Sequence, residues 1–337
     1  MSIGETAPPN PITPTIPLDE DGARHGWLRL PYSRDDSAWG AVMIPLSVIK
    51  RGDGPTALFI GGNHGDEYEG PLALRELSAA LQPEAIRGRV ILVPSLNHPA
   101  VLAGRRTSPI DGGNMNRSFP GRADGSVTEK IADYVLNALV SRADLVLDFH
   151  SGGKTLDFLP FAAAHRLPDK RQEAACVAAM EAFNAPYSMV MLELDAVGML
   201  DTEVEARGKT FVTTELGGGG GATAASVAIA RKGARNLLIH IGILDETLAR
   251  GPSIALDMGD ERCFLISEHA GMLEPLVDLG AAVTRGEAVA RIWPLERSGA
   301  PAAVYRARRG GLLAGRRWPG LTGMGDCLAV IAEPQPR

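Results

Sequence analysis

Three features that this sequence lacks exclude whole classes of protein. It has only three cysteines, Cys176, Cys263 and Cys327, with no C-x-x-C pair among them, which argues against a disulfide framework or a thiolate zinc cluster. It has no uninterrupted apolar run near the ~20 residues that span a bilayer, and its first residues lack the basic and apolar segments of a secretory signal. It has no excess of positive charge, since the net charge is -6, as a nucleic-acid interface would require. We therefore expect a cytoplasmic protein that binds neither nucleic acid nor membrane.

What the sequence does contain is the alternation of strands and helices typical of an α/β protein. The strands at its centre are almost continuously apolar, as "TALFI" and "RVILV" show, and such strands occur where helices cover both faces of a parallel sheet. The sequence thus predicts an α/β fold with a mainly parallel mixed sheet flanked by helices. Ser126 and Glu129 form a predicted capping box at the start of one helix. The predicted strands are 25–32, 41–52, 56–62, 89–97, 143–153 and 209–220, and the predicted helices are 70–83, 127–142, 169–184 and 222–244.

The helical pattern stops near residue 252. A near-repeat follows, with one half beginning at Gly271 and the other at Gly311, and two such halves predict a small β-sandwich. This part resembles lipoyl and biotinyl carrier domains, but the segment 293–310 between the halves contains no lysine to modify, so a structural or lid role is favoured. We predict a larger domain at 1–251, with a leading arm and strands at 1–40, and a β-rich barrel-sandwich-like domain at 252–337.

Three polar side chains stand where predicted strands end. His64, His150 and Glu215 each follow an apolar strand, and each is followed by glycines, which let a backbone turn sharply or approach a ligand. Ligands bind at the carboxyl edge of open α/β sheets, so we expect these three residues to meet. The H-x-x-E pair of His64 and Glu67 has little weight alone, because such a spacing arises about once by chance in this composition. A polar turn, a core histidine and a capping carboxylate are the alternatives.

His64, Glu67 and His150 together form a ligand set suited to catalytic zinc, which takes three protein ligands and leaves one position open. Zinc lowers the pKa of its bound water to around 7, and Glu215 would take the proton from that water and pass it to a leaving amine. We predict one zinc ion per chain, with Asp148 as support for His150. The same ligand set also tolerates cobalt or manganese.

A polar, glycine-rich segment at 105–121 provides groups for binding an anion. Asn116 and Arg117 would present an amide and a guanidinium fork to a carboxylate. Arg105 or Arg106 would reach the oxyanion of a tetrahedral intermediate. The alternative is an ordinary solvated basic loop.

The motifs "NHGDE", "NMNRSFPG", "DFHSGG" and "TTELGGGG" resemble those of the aspartoacylase and succinylglutamate desuccinylase family, relatives of the zinc carboxypeptidases. The resemblance covers roughly residues 40 to 335. It implies that His64, Glu67 and His150 are zinc ligands. It also implies that Asn116 and Arg117 bind the substrate carboxylate and that Glu215 is the catalytic base. The oxyanion arginine of the family lies closer to its N-R pair than Arg106 does here, which indicates a loop insertion; we assign the role to Arg106 rather than Arg105.

The resemblance implies hydrolysis of a small N-acyl amino acid. The segments "PYSRDDSAWG" and "DFHSGGKTLDF" are most similar to members that deacetylate N-alpha-acetyl-L-2,4-diaminobutyrate in ectoine breakdown. Five acidic residues at 193–205 could pair with the ammonium of that substrate, although a solvated acidic face is the ordinary interpretation. The alternatives are a deacylase of the N-acetyl-aspartate or N-succinyl-glutamate type and a metal-free protein that binds a small ligand. A homo-oligomer is left open, and His165 is grouped with the structural or surface histidines.

Overall fold

The computed structural model describes residues 9–336, so residues 1–8 of the predicted leading arm lie outside the described part. No helix within that part is long and apolar enough to cross a membrane. The α-helices, in chain order, are α1 (Glu69–Ala80), α2 (His98–Ala103), α3 (Val127–Tyr134), α4 (Lys170–Phe183), α5 (Leu200–Ala206) and α6 (Ala224–His240). The strands are β1 (Thr13–Pro14), β2 (Gly22–Pro31), β3 (Ala41–Arg51), β4 (Thr56–Ile60), β5 (Gly88–Val93), β6 (Leu145–Asp148), β7 (Leu156–Phe158), β8 (Phe161–His165), β9 (Tyr187–Met191), β10 (Thr210–Glu215), β11 (Ile254–Asp257), β12 (Phe264–Ile266), β13 (Gly271–Pro275), β14 (Ala282–Val283), β15 (Ala288–Trp293), β16 (Ala303–Arg306), β17 (Gly311–Arg317), β18 (Leu321–Thr322) and β19 (Cys327–Pro334).

A 15-stranded mixed sheet forms the centre of the structure, with the path β1-β2-β3-β5-β4-β6-β10-β8-β9-β11-β19-β17-β14 and with β12 paired to β19 and β7 paired to β17 beside that path. Strands β5, β4, β6 and β10 run parallel to one another, as do β8, β9 and β11, and the two groups meet in an antiparallel pair, β10 with β8. The remaining neighbours pair antiparallel. The predicted α/β fold with a large helix-flanked sheet is therefore confirmed, while the mainly parallel arrangement holds only for its centre. The likeness to zinc carboxypeptidases stays a prediction.

Burial explains why the central strands read as unbroken apolar runs. Every residue of β4 and of β6 is buried, since helices α1, α4 and α6 pack together in a layer against the sheet. Three further strands, β7, β8 and β9, and helix α5 occupy residues 156–206 and were not predicted. The Ser126–Glu129 capping box is present, but the α-helix that it starts ends at Tyr134 and continues as a π-turn and a 3-10 turn to Arg142.

The C-terminal β-region follows the near-repeat seen in the sequence. Strand β13 pairs with β15, and β17 pairs with β19. Gly271 and Gly311, which begin the two halves, have φ angles of +155° and +150°, and a Cβ at either would lie within 2.4 Å of a carbonyl oxygen on the paired strand. Both positions therefore require glycine. A second, four-stranded antiparallel sheet, β16-β15-β13-β18, completes this region, which has a hydrophobic cluster of its own.

The large sheet continues across residue 251. Strand β11 pairs with β9 on one side and with β19 on the other, and the apolar cluster at this junction includes Met189, Leu256 and Val330. The division into domains at 251 stays a prediction. The C-terminal region pairs directly with strands β7 and β9 of the preceding part of the chain.

Candidate active site

The three strand-end residues meet because their strands are neighbours in the sheet. His64 lies four residues beyond β4, His150 two residues beyond β6, and Glu215 is the last residue of β10, in the sheet order β4-β6-β10. Gly65, directly after His64, packs on α2 so closely that a Cβ there would lie 2.0 Å from the carbonyl carbon of Ala100. Seven of the residues singled out in the sequence line one cavity of about 290 Å³, namely His64, Glu67, Arg106, Asn116, Arg117, His150 and Glu215.

Glu67 holds the two histidines on either side of one point. Its Oε1 lies 2.8 Å from Nδ1 of His64, and its Oε2 lies 2.9 Å from Nδ1 of His150. The two imidazole centroids are 4.9 Å apart. The three side chains are buried and can each offer one ligand atom to a common metal ion.

The far nitrogen of each imidazole is held by a second layer of polar groups. Nε2 of His150 lies 2.9 Å from Oδ2 of Asp148, which also accepts a hydrogen bond from Asn63 Nδ2 at 2.8 Å. Nε2 of His64 lies 3.1 Å from Oδ1 of Asn114. In the tautomer in which both Nε2–H groups donate outward, which is how metal-binding histidines are usually oriented, both Nδ1 lone pairs would face a metal ion bound beside Glu67. The donor set therefore fits a divalent metal ion.

The charges of the set also favour a cation. Burial alone would raise the pKa of Glu67, but the adjacent His64 and His150 hold that pKa well below its usual range, so the group is a carboxylate. Burial lowers the pKa of His64. For His150, burial is outweighed by Asp148 and Glu67, and its pKa is raised well above the usual value. The buried carboxylates thus attract positive charge to this point of the cavity.

Glu215 differs from Glu67 in the direction of its pKa shift. Burial, reinforced by the negative charge of Glu67, raises the pKa of Glu215 well above its usual value. Its Oε2 is buried and has no hydrogen-bond partner among the described residues. A carboxyl group with a raised pKa and a free oxygen facing a cavity suits proton transfer near neutral pH.

The arginine and asparagine side chains complete the wall of the cavity. Nη1 of Arg106 lies 3.3 Å from Nδ1 of His64 and 3.6 Å from Oε1 of Glu67. Arg105 is exposed, does not line the cavity, and accepts a backbone hydrogen bond from Gly65; the geometry thus favours Arg106. Oδ1 of Asn116 accepts the first N–H of α5, from Leu200, at 2.9 Å, which leaves its Nδ2 as the group available to a ligand.

The acidic stretch divides into two parts. Glu193, Asp195 and Asp201 line the catalytic cavity. Glu203 instead pairs with Arg207 at 2.7 Å, and Glu205 pairs with His165 at 2.9 Å. The structure therefore places His165 in a buried acidic cluster rather than at the surface. The C-terminal β-region contributes the apolar side chains Phe264, Cys327 and Val330 to the cavity.

Sequence reasoning missed Asn63, Asn114 and His165. Nothing in their spacing sets the two asparagines apart from ordinary loop residues. For His165 a signal was present, since a histidine ending an apolar strand repeats the theme of His150.

Comparison with known proteins shows the family to which the chain belongs. The model of the succinylglutamate desuccinylase/aspartoacylase catalytic domain matches residues 53–241. The chain belongs to this family, which confirms the resemblance and the predicted class of enzyme, a hydrolytic deacylase. It is 56% identical over 327 residues, 96% of either chain, to the N-alpha-acetyl-L-2,4-diaminobutyric acid deacetylase of Halomonas elongata.

Two solved structures agree closely with the fold. The product-bound ectoine utilization protein EutE (DoeB) of Ruegeria pomeroyi is 61% identical, with a TM-score of 0.95 over 97% of this chain and 99% of that one. A structure described as a succinylglutamate desuccinylase, from Silicibacter sp. TM1040, is 59% identical, with a TM-score of 0.94 over 97% of this chain and 100% of that one.

Proposed function

We propose that this chain is a zinc-dependent amidohydrolase that converts N-alpha-acetyl-L-2,4-diaminobutyrate to L-2,4-diaminobutyrate and acetate, in the cytoplasm and in ectoine catabolism. The observation that carries the proposal is that a metal-ligand set, a carboxyl group with a raised pKa, an arginine and an Asn-Arg pair line one cavity. The high identity to a deacetylase of this substrate, over nearly the whole of both chains, supports the choice of amide.

His64, Glu67 and His150 would hold the metal ion, since their three donor atoms converge and the outer nitrogens are held by Asp148 and Asn114. A zinc ion bound there would supply Lewis acidity, lowering the pKa of a water molecule and polarising the amide carbonyl.

The residues of the chain account for substrate binding and proton transfer. Asn116 and Arg117 hold the α-carboxylate of the substrate, because a planar guanidinium beside an amide donor matches a carboxylate. Arg106 stabilises the negative charge on the carbonyl oxygen as the tetrahedral centre forms. Glu215 accepts a proton from the attacking water and delivers it to the amide nitrogen as the C–N bond breaks, so that acetate and a free amine leave.

The apolar contribution of the C-terminal β-region favours a deacylase over a carboxypeptidase. Phe264, Cys327 and Val330 line one side of the cavity, and this apolar wall would limit the space available to the acyl group. Turnover of tripeptides at rates near those of acetyl amino acids would contradict this role of the β-region.

A deacylase of an acidic substrate is the second candidate, and the description of the Silicibacter relative favours it. The acidic wall of Glu193, Asp195 and Asp201 argues against it, because a second substrate carboxylate would be repelled. A metal-free binding protein is the third candidate, and it would bind no zinc.

The test is release of free amine from three substrates by the zinc-loaded protein: N-alpha-acetyl-L-2,4-diaminobutyrate, N-acetyl-aspartate and N-succinyl-glutamate. We expect release from the first, and its loss in Glu215→Ala with zinc content unchanged. Release only from an acidic substrate would retain the mechanism and reject the substrate. Absence of both release and bound zinc would reject the enzyme.

A further inference from the structure

A second group of histidine and carboxylate side chains adjoins the catalytic cavity. We call His165, Glu193, Asp201 and Glu205 the His165 cluster. His165 ends strand β8, Glu193 follows β9, and the other two lie on α5. Nδ1 of His165 lies 2.9 Å from Oε1 of Glu205, and its Nε2 lies 3.6 Å from Oε1 of Glu193. The cluster therefore contains one imidazole for three carboxylates.

The cluster has unused hydrogen-bonding groups. Nε2 of His165 is buried without a hydrogen-bond partner among the described residues, and 3.6 Å to Glu193 is too long for a hydrogen bond. Oδ1 of Asp201 accepts from the N–H of Thr202, whereas no bond to its Oδ2 or to the Glu193 carboxylate occurs in the described part of the chain. A single imidazolium can balance only one of three negative charges, so the cluster has an excess of negative charge that it does not neutralise itself.

Glu193 and Asp201 also face the substrate space. Both line the catalytic cavity and a neighbouring cavity of about 560 Å³ that includes His165. They therefore separate the two cavities, with the imidazole behind them. Arg106, Arg117 and these two acids all line the catalytic cavity, so its wall offers both cationic and anionic groups to a ligand.

We propose that Glu193 and Asp201 bind the side-chain ammonium of the substrate, and that His165, fixed by Glu205, positions the two acids. This inference rests on the proposed function, which supplies a substrate with such a group. The ligand atoms of His165, Glu193 and Asp201 lie within 4.8 Å of one another, and two acceptors on one tetrahedral ammonium are roughly 4.5 to 5 Å apart. Asp201 is 5% exposed, so its charge is screened little by water.

Protonation agrees with this geometry. Burial, with Glu193 and Glu205 adding their negative charge against the opposing attraction of His165, raises the pKa of Asp201 to about 6. Burial opposes protonation of His165, but its carboxylate neighbours raise its pKa to about 10. The cluster therefore already contains its imidazolium at neutral pH and still has a carboxylate that a further cation would stabilise.

The test compares two substrates of the same shape. N-alpha-acetyl-L-norvaline places a methyl group where N-alpha-acetyl-L-2,4-diaminobutyrate has its ammonium. We expect Asp201→Asn and Glu193→Gln each to lower the ratio of kcat/KM values, diaminobutyrate over norvaline substrate, by roughly 10- to 100-fold, as for loss of a charged hydrogen bond. Glu203→Gln is the matched control on α5, and we expect its ratio to equal that of the wild type.

Two further measurements distinguish a loss of ammonium binding from a loss of folding. Circular dichroism checks that each variant folds. If Asp201→Asn does not fold, Glu193→Gln still tests the inference, because Glu193 is partly exposed and its substitution should disturb the fold less. Calorimetric titration with L-2,4-diaminobutyrate is expected to show weaker binding to both variants than to wild type.

Each alternative has its own result. A wild-type preference for the diaminobutyrate substrate that survives in both variants overturns the inference and leaves the proposed function standing. A wild type that cleaves neither substrate overturns the proposed function and the inference with it. A second equivalent of metal in the wild type that disappears in Asp201→Asn identifies the cluster as a divalent-cation site and overturns the ammonium assignment.

Discussion

The two histidine–carboxylate clusters of this molecule line neighbouring cavities but differ in composition. In the candidate metal site, His64 and His150 share Glu67, and each has its outer nitrogen bound to Asn114 or Asp148. In the His165 cluster, one imidazole serves three carboxylates. The first arrangement supplies two inward-facing nitrogens, and the second supplies an excess of negative charge.

Under the proposals above, similar residues would bind different cations in the two clusters. A transition metal requires lone pairs of neutral imidazole and carboxylate at short distance. A substrate ammonium requires only acceptors and uncompensated negative charge. Under the two proposals above, the number of imidazoles per carboxylate is what distinguishes the metal site from the ammonium site.

The largest expected effect is loss of a metal ligand. We expect His64→Ala to weaken metal binding by more than the roughly 10- to 100-fold that is typical when a residue behind a ligand is changed. Because two ligands alone do not hold the ion, we also expect the variant to release no amine. Metal content by mass spectrometry and an amine assay measure both. His165→Ala is the matched control, with metal content equal to wild type. Equal metal loss in the two variants would remove the distinction between the clusters.

Next in size is the removal of the proposed base. Glu215→Gln retains the shape of the side chain but cannot accept the proton, so we expect kcat to fall by roughly 10²- to 10⁴-fold. Metal content should not change, since no ligand is removed. A variant with nearly wild-type kcat would assign proton transfer to another group and leave the metal site intact.

A smaller effect is expected from the carboxylates behind the histidines. Asp148→Asn should weaken metal affinity by roughly 10- to 100-fold. The neutral asparagine amide accepts a weaker hydrogen bond from His150 than the Asp148 carboxylate does, so the imidazole is oriented less firmly. Glu205→Gln makes the same change behind His165 and should leave metal affinity unaltered. Competition with a chromogenic chelator measures both. An equal loss in both variants would mean that the effect is structural.

Much of this could be predicted from the sequence, for physical reasons. Burial on both faces makes β4 and β6 unbroken apolar runs, and the parallel sheet then brings their carboxyl ends together. His64, His150 and Glu215 therefore had to meet once β4, β6 and β10 were neighbours. The two glycine-led halves of the C-terminal region were visible because Gly271 and Gly311 are required by close backbone contacts.

Other features depend on contacts that no local pattern records. Strand β7 is only three residues long and pairs with β17, which lies far along the chain, so it had no periodicity of its own. Asn114 reaches His64 through a loop. His165 meets Glu205 because β8 lies antiparallel beside β10 and α5 packs near the end of β8. Neither the pairing of β8 with β10 nor the position of α5 follows from spacing along the chain.

The smallest expected effect, on stability, tests the charge excess of the His165 cluster directly. The folded-state pKa of Asp201, about 6, lies above the usual aspartate value of 3.8 because the residue is buried. The native state then binds more protons than the unfolded state between these values, so stability falls as the pH rises from about 4 through 6. Asp201→Asn removes this penalty, which is at most about 3 kcal/mol.

Because the shift of the Asp201 pKa already includes the attraction of His165, we expect a gain of up to about 3 kcal/mol in the free energy of unfolding at pH 8 and almost none at pH 4. Urea unfolding with a chelator present throughout keeps metal binding out of the comparison, and Glu203→Gln is the control. A variant less stable than wild type at pH 8 would show that His165 already satisfies Asp201. The cluster would then have no charge left for a substrate, whereas the metal site across the cavity would be unaffected.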